Sequence, residues 1–270
     1  MALNEFQIAI PSYRRGNVLL THTLPLIESW NVPMERVHVF CVEEEYSDYE
    51  TILHSTPRYE NVAIHVGPLG LHHMRNHITQ FFPENAPILH MDDDIKQLYC
   101  MTEDMSVPDI TSSRRYKLLP MPVRDAIPWI ACAFETARQS GARLWGVYPV
   151  RNGYFMKDLP PITYDLRFCV GAFWGIWNDK TITIDIEEKE DFDRTLQVFE
   201  RTRTITRFNR VCFATNYYST PGGMQARGVD RLESSKDACK HLIAKWPQYC
   251  KLYKGKKSGI WEVRISCRTV

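Results

Sequence analysis

The first 91 residues alternate short apolar runs, rich in β-branched side chains, with segments of helical spacing. The apolar runs span residues 6–10, 37–42, 61–66 and 87–91. Such an alternation predicts βαβ units, in which parallel strands form a central sheet and helices cover both of its faces. We therefore predict an α/β fold with a mostly parallel central sheet flanked by helices, and the 270 residues fit a single domain.

The second half of the chain opens with a long segment that has no regular spacing. Residues 101–122 contain three prolines and clustered charges, which predict a loop. A loop of this length inside a compact domain is usually functional or mobile. Beyond it, apolar spacing predicts helices at 127–137, 190–202 and 234–246, and strands at 144–150, 168–177 and 210–213.

Composition excludes several classes of protein. The chain has 33 Lys and Arg against 32 Asp and Glu, so its net charge does not favour binding to nucleic acid or to a membrane. Its longest apolar runs are shorter than the roughly 20 residues of a spanning helix. The eight cysteines are scattered without a C-x-x-C pair, which predicts reduced thiols and a cytoplasmic location. The first 15 residues carry no recognisable secretory signal.

Three consecutive aspartates, Asp92, Asp93 and Asp94, follow the fourth strand directly. In open α/β sheets ligands bind beyond the carboxyl ends of the strands, so this position is one where a site is expected. Adjacent carboxylates repel one another, and Mg²⁺ or Mn²⁺ relieves that repulsion by taking one or two carboxylates and completing its shell with water and phosphate. Asp92 and Asp94 are thus candidate metal ligands. The alternative is a solvated acidic turn that caps the next helix.

Two other loops are predicted at the same edge of the sheet. The first strand ends in Pro-Ser-Tyr-Arg-Arg, residues 11–15, and the third strand is followed by Gly70 and a helix that carries Arg75. Hydroxyls, an aromatic ring, guanidinium groups and a helix N-terminus are suited to a phosphorylated nucleotide. Taken singly, Arg75 is also compatible with a surface helix position and Tyr13 with a packing role.

These motifs, in this order, resemble the nucleotide-sugar-dependent glycosyltransferases of the GT-A fold. The resemblance rests on Pro-Ser-Tyr-Arg-Arg, on Gly-Leu-x-x-x-Arg-Asn before the fourth strand, and on Asp-Asp-Asp after it. It continues through Gly171-Ala172-Phe173 to Glu190-Asp191 and covers residues 6–195. It implies a nucleotide-binding half at 1–100 and an acceptor half at 123–270 with a basic tail.

The resemblance also implies an activity, namely the metal-dependent, inverting transfer of a sugar from a nucleotide sugar, with a UDP-sugar as the expected donor, to an acceptor hydroxyl. Asp191, beside Glu190, would be the catalytic base, and a metal would lie on Asp92 and Asp94. Gly171 and Ala172 would lie under the donor sugar. The residues implied around the nucleotide sugar are Pro11, Tyr13, Arg15, Glu43, Arg75 and Asp93.

Two features leave alternatives open at this site. Glu190 and Asp191 are also typical of an acidic first helical turn. Many members of the family present a histidine after the base as a further metal ligand, and here only His241 follows. Water, or a downstream residue such as Asn216, would then complete the metal shell.

At a finer level the chain is similar to the TET-associated glycosyltransferases of bacteriophages. That similarity rests on Asp-Asp-Asp-Ile and on Thr-Pro-Gly-Gly-Met-Gln at residues 220–225. It implies a hydroxymethylated pyrimidine in DNA as acceptor, and the cytoplasm of an infected host as location. Basic residues that would contact the DNA are Arg114, Arg115, Lys254, Lys256 and Lys257, with a further track of Arg201, Arg203, Arg207 and Arg210. The alternative is that these are solvated surface charges.

Three other functions are compatible with the sequence. A glycosyltransferase of the same fold would act on a glycan, lipid or protein. A nucleotidyltransferase usually carries a glycine-rich loop after its first strand, which residues 11–15 lack. A non-catalytic sugar- or nucleic-acid-binding module on a decayed scaffold would not need the carboxylates of Asp92, Asp94 and Asp191.

Overall fold

The computed structural model of the chain describes residues 5–215, 222–223, 231–254 and 261–266. The strands are β1 (Gln7–Pro11), β2 (Val37–Cys41), β3 (Ala63–Val66), β4 (Pro87–Met91), β5 (Gln97–Glu103), β6 (Tyr116–Pro120), β7 (Leu144–Val147), β8 (Ile162–Thr163), β9 (Phe173–Trp177), β10 (Thr206–Phe208), β11 (Val211–Ala214), β12 (Cys250–Lys254) and β13 (Trp261–Ile265). The helices are α1 (Gly16–Thr21), α2 (Thr23–Ser29), α3 (Tyr46–His54), α4 (Leu71–Phe81), α5 (Val123–Gln139), α6 (Gly153–Met156), α7 (Glu190–Thr202) and α8 (Arg231–Lys245).

A central sheet of eight strands, in the order β3-β2-β1-β4-β9-β7-β10-β8, organises the molecule. Strands β1 to β4 are parallel, β9 is antiparallel to both β4 and β7, and β10 is parallel to β7. Six strands therefore run in one direction, and the prediction of a mostly parallel sheet flanked by helices is confirmed. We call the edge where these six strands end, and where β9 begins, the carboxyl edge.

Each face of the sheet carries its own hydrophobic core. Because side chains alternate along a strand, Ile8 and Ile10 of β1 pack in one core while Ala9 packs in the other. Helices α1, α2, α3 and α5 cover the first face, and α4, α7 and α8 cover the second. The two layers of helices bury the sheet on both sides and leave its carboxyl edge as the place where loops converge.

The segment predicted as a loop at 101–122 contains ordered β structure instead. Strands β5 and β6 pair as a hairpin, and β11 adds to β5 to form a separate sheet of three strands. The prediction was wrong because the buried residues of β5 are Leu98 and Met101. They lie three positions apart, so the sequence does not show the alternation of apolar and polar residues that indicates a strand. Residues 168–172, predicted as strand, precede β9 without regular structure.

One further difference concerns a predicted helix. The helix predicted after the first strand divides at His22 into α1 and α2, and Pro25 lies in the first turn of α2, where its missing N–H costs no hydrogen bond. The seven cysteines within the described residues are free thiols. In that same part of the chain, no helix combines the length and apolar character needed to cross a membrane.

Candidate active site

The three aspartates lie at the carboxyl edge, beside the loop that leads into β9. The Asp92 N–H donates to the carbonyl of Ala172 at 2.9 Å, which extends the pairing of β4 with β9. Burial, together with Asp94 and Asp93, raises the pKa of Asp92 to about 7, against the opposing charge of Arg75. The side chain of Asp92 is nonetheless 37% exposed. The triplet is therefore a crowded set of negative charges with one member open to a ligand.

Asp93 is engaged by the loop that follows β1. The Ser12 hydroxyl donates to Asp93 Oδ2 at 2.7 Å and Arg15 Nη1 lies 3.3 Å from Oδ1. Burial raises the pKa of Asp93 to about 6, although Ser12 and Arg15 oppose that shift. Asp93 is predicted to lie at the nucleotide, and in the structure both of its oxygens contact the loop that follows β1. Asp94 Oδ2 is 3.6 Å from Arg15 Nη1.

Asp92 and Asp94 have the chemistry of a two-carboxylate cation site. Their oxygens are hard ligands, and the pKa of Asp92 is raised by burial first and by the neighbouring carboxylates second, both of which a cation would offset. Within the described residues no group of three or more His, Cys, Asp or Glu side chains is arranged to hold a metal ion. His241 lies 3.1 Å from Asp185 and Asn216 is outside the described residues. The residues present thus fit Mg²⁺ or Mn²⁺ that completes its shell with water and phosphate.

The loop after β1 is covered by a segment from far along the chain. The Gly223 N–H donates to the carbonyl of Tyr13 at 2.8 Å, and Arg15 Nη2 donates to the carbonyl of Gly222 at 3.3 Å. A Cβ at Gly222 would lie 2.7 Å from a backbone oxygen of this loop, so only glycine permits the contact. Pro11, Tyr13 and Arg15, which the sequence places at the nucleotide, are all partly exposed here. The rest of residues 220–225 lies outside the described residues.

Arg75 lies beneath the aspartates and connects three elements. It is only 2% exposed, and its Nη2 donates to Asp92 Oδ1 at 2.9 Å and to the carbonyl of Gly171 at 2.8 Å. Its Nε lies 3.7 Å from Glu190 Oε1. The sequence resemblance places Arg75 at the nucleotide, whereas these contacts make it a residue that positions Asp92 against α7. Glu43, by contrast, is exposed in the turn after β2 at the same edge.

The pair Glu190 and Asp191 opens α7, and the structure separates the roles of its two carboxyl groups. Glu190 is 3% exposed and accepts a hydrogen bond from Arg194 Nη1 at 2.8 Å. Asp191 is partly exposed, and its Oδ2 accepts the Gly171 N–H at 3.0 Å. Burial and the charge of Glu190 raise the pKa of Asp191, while Arg194 and two backbone N–H groups oppose the shift. Asp191 is therefore the member of the pair that can exchange a proton with a ligand.

A buried aromatic and cationic cluster, which the sequence analysis missed, supports this arrangement. The ring of Trp174 stacks on His90 at 3.9 Å between centroids, and the guanidinium of Arg194 lies 3.7 Å from the centroid of Trp174. Burial lowers the pKa of His90 well below its usual value, and the charges of Arg75 and Arg194 lower it further. Only the i, i+4 spacing of Glu190 and Arg194 was readable in the sequence.

Replacing Gly171 with alanine is expected to lower the free energy of unfolding by about 1–3 kcal/mol, the usual cost of overpacking. A Cβ there would lie 2.8 Å from Glu190 Oε1 and 3.4 Å from Asp191 Cβ. Urea denaturation measures the change. Gly16→Ala is the control, because the nearest atom to its Cβ would be the flexible end of Ile52, at 3.0 Å, and the ring of Tyr49 lies at an ordinary contact distance of 3.8 Å. Equal stability of Gly171→Ala and wild type would contradict the close approach.

The basic residues expected at nucleic acid have different surroundings from one another. Arg115 is 8% exposed, donates to the carbonyl of Val107 at 2.9 Å and lies 3.5 Å from Glu103, so it fastens its own hairpin and is not presented to a ligand. Arg114 and Lys254 are exposed. Lys256 and Lys257 lie outside the described residues.

The four arginines expected to form one track are also divided. Helix α7 begins at the carboxyl edge, so Arg201 and Arg203, near its end, lie towards the opposite edge. Arg203 pairs with Glu200 at 3.0 Å and Arg210 lies 3.5 Å from Glu103. Arg207 alone of the four lines a groove on the side of α7.

Comparison with known proteins gives a likeness in structure only. Neither protein-family models nor curated protein sequences match the chain. A crystal structure of S. aureus TarS residues 1–349 in complex with UDP-GlcNAc matches with a TM-score of 0.52 and 12% identity, over 88% of this chain and 66% of that one. A second structure of TarS 1–349 matches with a TM-score of 0.48 and 10% identity, over 77% and 59%. The chain thus spans less than two thirds of the length of these structures. The likeness to the complex with UDP-GlcNAc confirms the predicted GT-A-like fold.

Proposed function

We propose that the chain is a glycosyltransferase that moves a sugar from a nucleotide sugar, a UDP-sugar, to an acceptor hydroxyl. The observation that carries the proposal is the joining of two sets of carboxylates at the carboxyl edge. Asp92 and Asp191 are linked through Arg75 and the backbone of Gly171, by bonds of 2.9, 2.8 and 3.0 Å. A likeness in fold to a structure that holds UDP-GlcNAc agrees with this proposal.

The donor side of the proposed reaction must stabilise a departing nucleoside diphosphate. Asp92 and Asp94 would hold a divalent cation, which when bound neutralises charge on the diphosphate. Arg15 keeps 14% of its side chain exposed beside Asp93 and Asp94 and adds a positive charge at the same place. Asp93 and Ser12 would fix the backbone of this loop, so that the charges are in place before the donor binds.

The acceptor side must activate a hydroxyl. Asp191 would take the proton from the acceptor oxygen as that oxygen bonds to the anomeric carbon of the sugar. The bond from that carbon to the phosphate oxygen breaks, and its electron pair leaves with UDP. Attack opposite the leaving group inverts the anomeric carbon. A base whose pKa lies above the ordinary carboxylate value accepts the proton more readily, while Glu190, bound by Arg194, positions the start of α7.

The test is release of nucleoside diphosphate from a panel of nucleotide sugars, each with Mn²⁺, with Mg²⁺ and with EDTA. The acceptors are an oligonucleotide with 5-hydroxymethylcytosine, which the finer sequence similarity suggests, and glycan, lipid and peptide hydroxyls. We expect metal-dependent release from one donor. Donor binding without release from any donor and acceptor would favour the non-catalytic binding module, and the absence of donor binding would contradict the proposal.

A further inference from the structure

A groove of about 270 Å³ opens beside α7, between residues 166–168 and the hairpin of β12 and β13. Among the described residues, its lining is basic, aromatic and aliphatic, with no acidic side chain. The charged and aromatic members are Arg167, Phe168, Phe192, Arg207, Tyr253 and Arg264. The groove therefore concentrates positive charge on a protein whose net charge is only +1.

Arg207 is the unusual member of this lining. It is 7% exposed, its Nε donates to Asn209 Oδ1 at 2.7 Å, and within the described residues no carboxylate lies at ion-pair distance from it. Burial lowers the pKa of Arg207 and the like charge of Arg167 lowers it further, while Cys169, Tyr148 and Asp165, which is beyond ion-pair distance, oppose the shift. A buried charge is costly unless it is paired. An anion in the groove would supply the missing partner.

The second basic side chain, Arg264, is exposed on β13, and its guanidinium lies 5.6 Å from the ring centroid of Tyr253. Arg167 is already paired with Asp165 at 2.8 Å. Of the basic residues that the structure describes in this groove, Arg207 and Arg264 are therefore the two available to a ligand.

The groove adjoins the proposed catalytic base. Phe192 follows Asp191 in the first turn of α7, and its ring stacks on Phe168 at 4.1 Å between centroids. Three residues after Phe168, Gly171 donates its N–H to Asp191. Residues 168–171 and 191–192 thus form one wall of the groove and also hold the proposed base, Asp191, in place.

We propose that this groove binds a phosphate ester of the acceptor and so brings a neighbouring hydroxyl of that acceptor to Asp191. The inference rests on the proposed function and assigns the acceptor a chemical class. A phosphate group suits the groove because it has enough acceptor oxygens for two guanidinium groups at once, and planar guanidinium forks match its geometry. The aromatic wall accommodates the apolar part of the molecule that carries the phosphate.

The test is the binding of a fluorescein-labelled thymidine octamer at low salt, followed by fluorescence anisotropy. We expect Arg207→Gln to weaken binding about tenfold or more and to reduce the salt slope by about one, and Arg264→Gln to weaken it less. Arg207→Lys should recover part of the loss. The control is Arg138→Gln on α5, an exposed arginine paired with Glu135. Because Arg207 is buried, circular dichroism confirms folding, and exposed Arg264 tests the groove independently.

Two further probes identify the chemistry that is bound. An abasic octamer of deoxyribose phosphate that binds as well as the thymidine octamer would show that phosphate alone is recognised, whereas weaker binding would show that the aromatic wall also contacts bases. Polyglutamate of equal charge is expected to bind at least tenfold more weakly. Equal, Arg207-dependent binding of polyglutamate would overturn the assignment to phosphate.

Failure of this inference is distinguishable from failure of the proposed function. Unchanged octamer binding in both glutamine variants, or no octamer binding by wild type, would overturn the inference while UDP-GlcNAc binding, measured by calorimetry, remained. Arg207→Gln is expected to leave UDP-GlcNAc binding unchanged. Arg207-dependent octamer binding without any nucleotide-sugar binding would instead overturn the proposed function and leave the groove as a phosphate site.

Discussion

Replacing Asp191 with asparagine is expected to lower turnover about 1,000-fold and to leave the affinity for the nucleotide sugar unchanged. Asparagine keeps the shape of the side chain and an oxygen that can accept the Gly171 N–H, whose present donor–acceptor distance is 3.0 Å. It cannot take a proton from the acceptor, and a positioned general base contributes about 10²–10⁴-fold. Steady-state turnover, with donor affinity from calorimetry, measures the two quantities separately.

The pH dependence gives a second readout of the same residue. Because burial and Glu190 raise the pKa of Asp191, wild-type turnover should be present above that pKa and fall as the pH drops through it, at a value above 3.8. Because the pKa of Asp92 is also raised, to about 7, both profiles are measured at saturating Mn²⁺, and Asp191→Asn should lose the part of the acidic limb that belongs to Asp191. Asp125→Asn, in the exposed first turn of α5, is the control and should match wild type. A large loss of donor affinity in Asp191→Asn would move that residue to the donor site.

Replacing Asp94 with asparagine is expected to reduce turnover by about 10²–10³-fold and to abolish the gain in donor affinity that Mn²⁺ provides. A metal ion supplies several kcal/mol of charge stabilisation to a departing phosphate, and each 1.36 kcal/mol is tenfold in rate. Stability should change by less than about 1 kcal/mol, because Arg15 keeps Asp93 at 3.3 Å and one of three repelling charges is removed.

The measurements for this variant are turnover, donor affinity with Mn²⁺ and with EDTA, and urea denaturation. Asp48→Asn, an exposed aspartate of α3, is the control. Wild-type turnover in Asp94→Asn would contradict the proposal that Asp94 binds a cation needed for the reaction. A collapse of stability would instead show that Asp94 holds the fold together.

The meeting of the candidate residues at one edge of the sheet was readable from the sequence, because strand ends and helix starts carry local signals. An apolar run ending at Asp92 marks the end of β4, and the acidic residues from Glu190 mark the start of α7, which begins at that residue. In a parallel sheet such ends meet at one edge, so local pattern and topology together bring the residues together.

The roles of individual side chains were not readable, because they depend on contacts between residues distant in the chain. Nothing local distinguishes Asp93 from Asp92, yet Ser12, 81 positions earlier, engages one and Arg75 the other. The spacing around Arg75 indicates only an amphipathic helix, whereas the structure buries its guanidinium among protein partners. Likewise Arg207 faces a groove and has no carboxylate at ion-pair distance among the described residues, whereas Arg210 lies 3.5 Å from Glu103.

The proposed function requires the sugar nucleotide to bind at the carboxyl edge, next to the proposed general base Asp191. The most direct measurement is a crystal structure grown with UDP-GlcNAc and MnCl₂, with anomalous data collected at the manganese edge. We predict an anomalous peak beside Asp92 and Asp94, with the diphosphate against it and the sugar directed towards Asp191. A sugar nucleotide bound elsewhere, or no bound nucleotide at saturating concentration, would contradict the account.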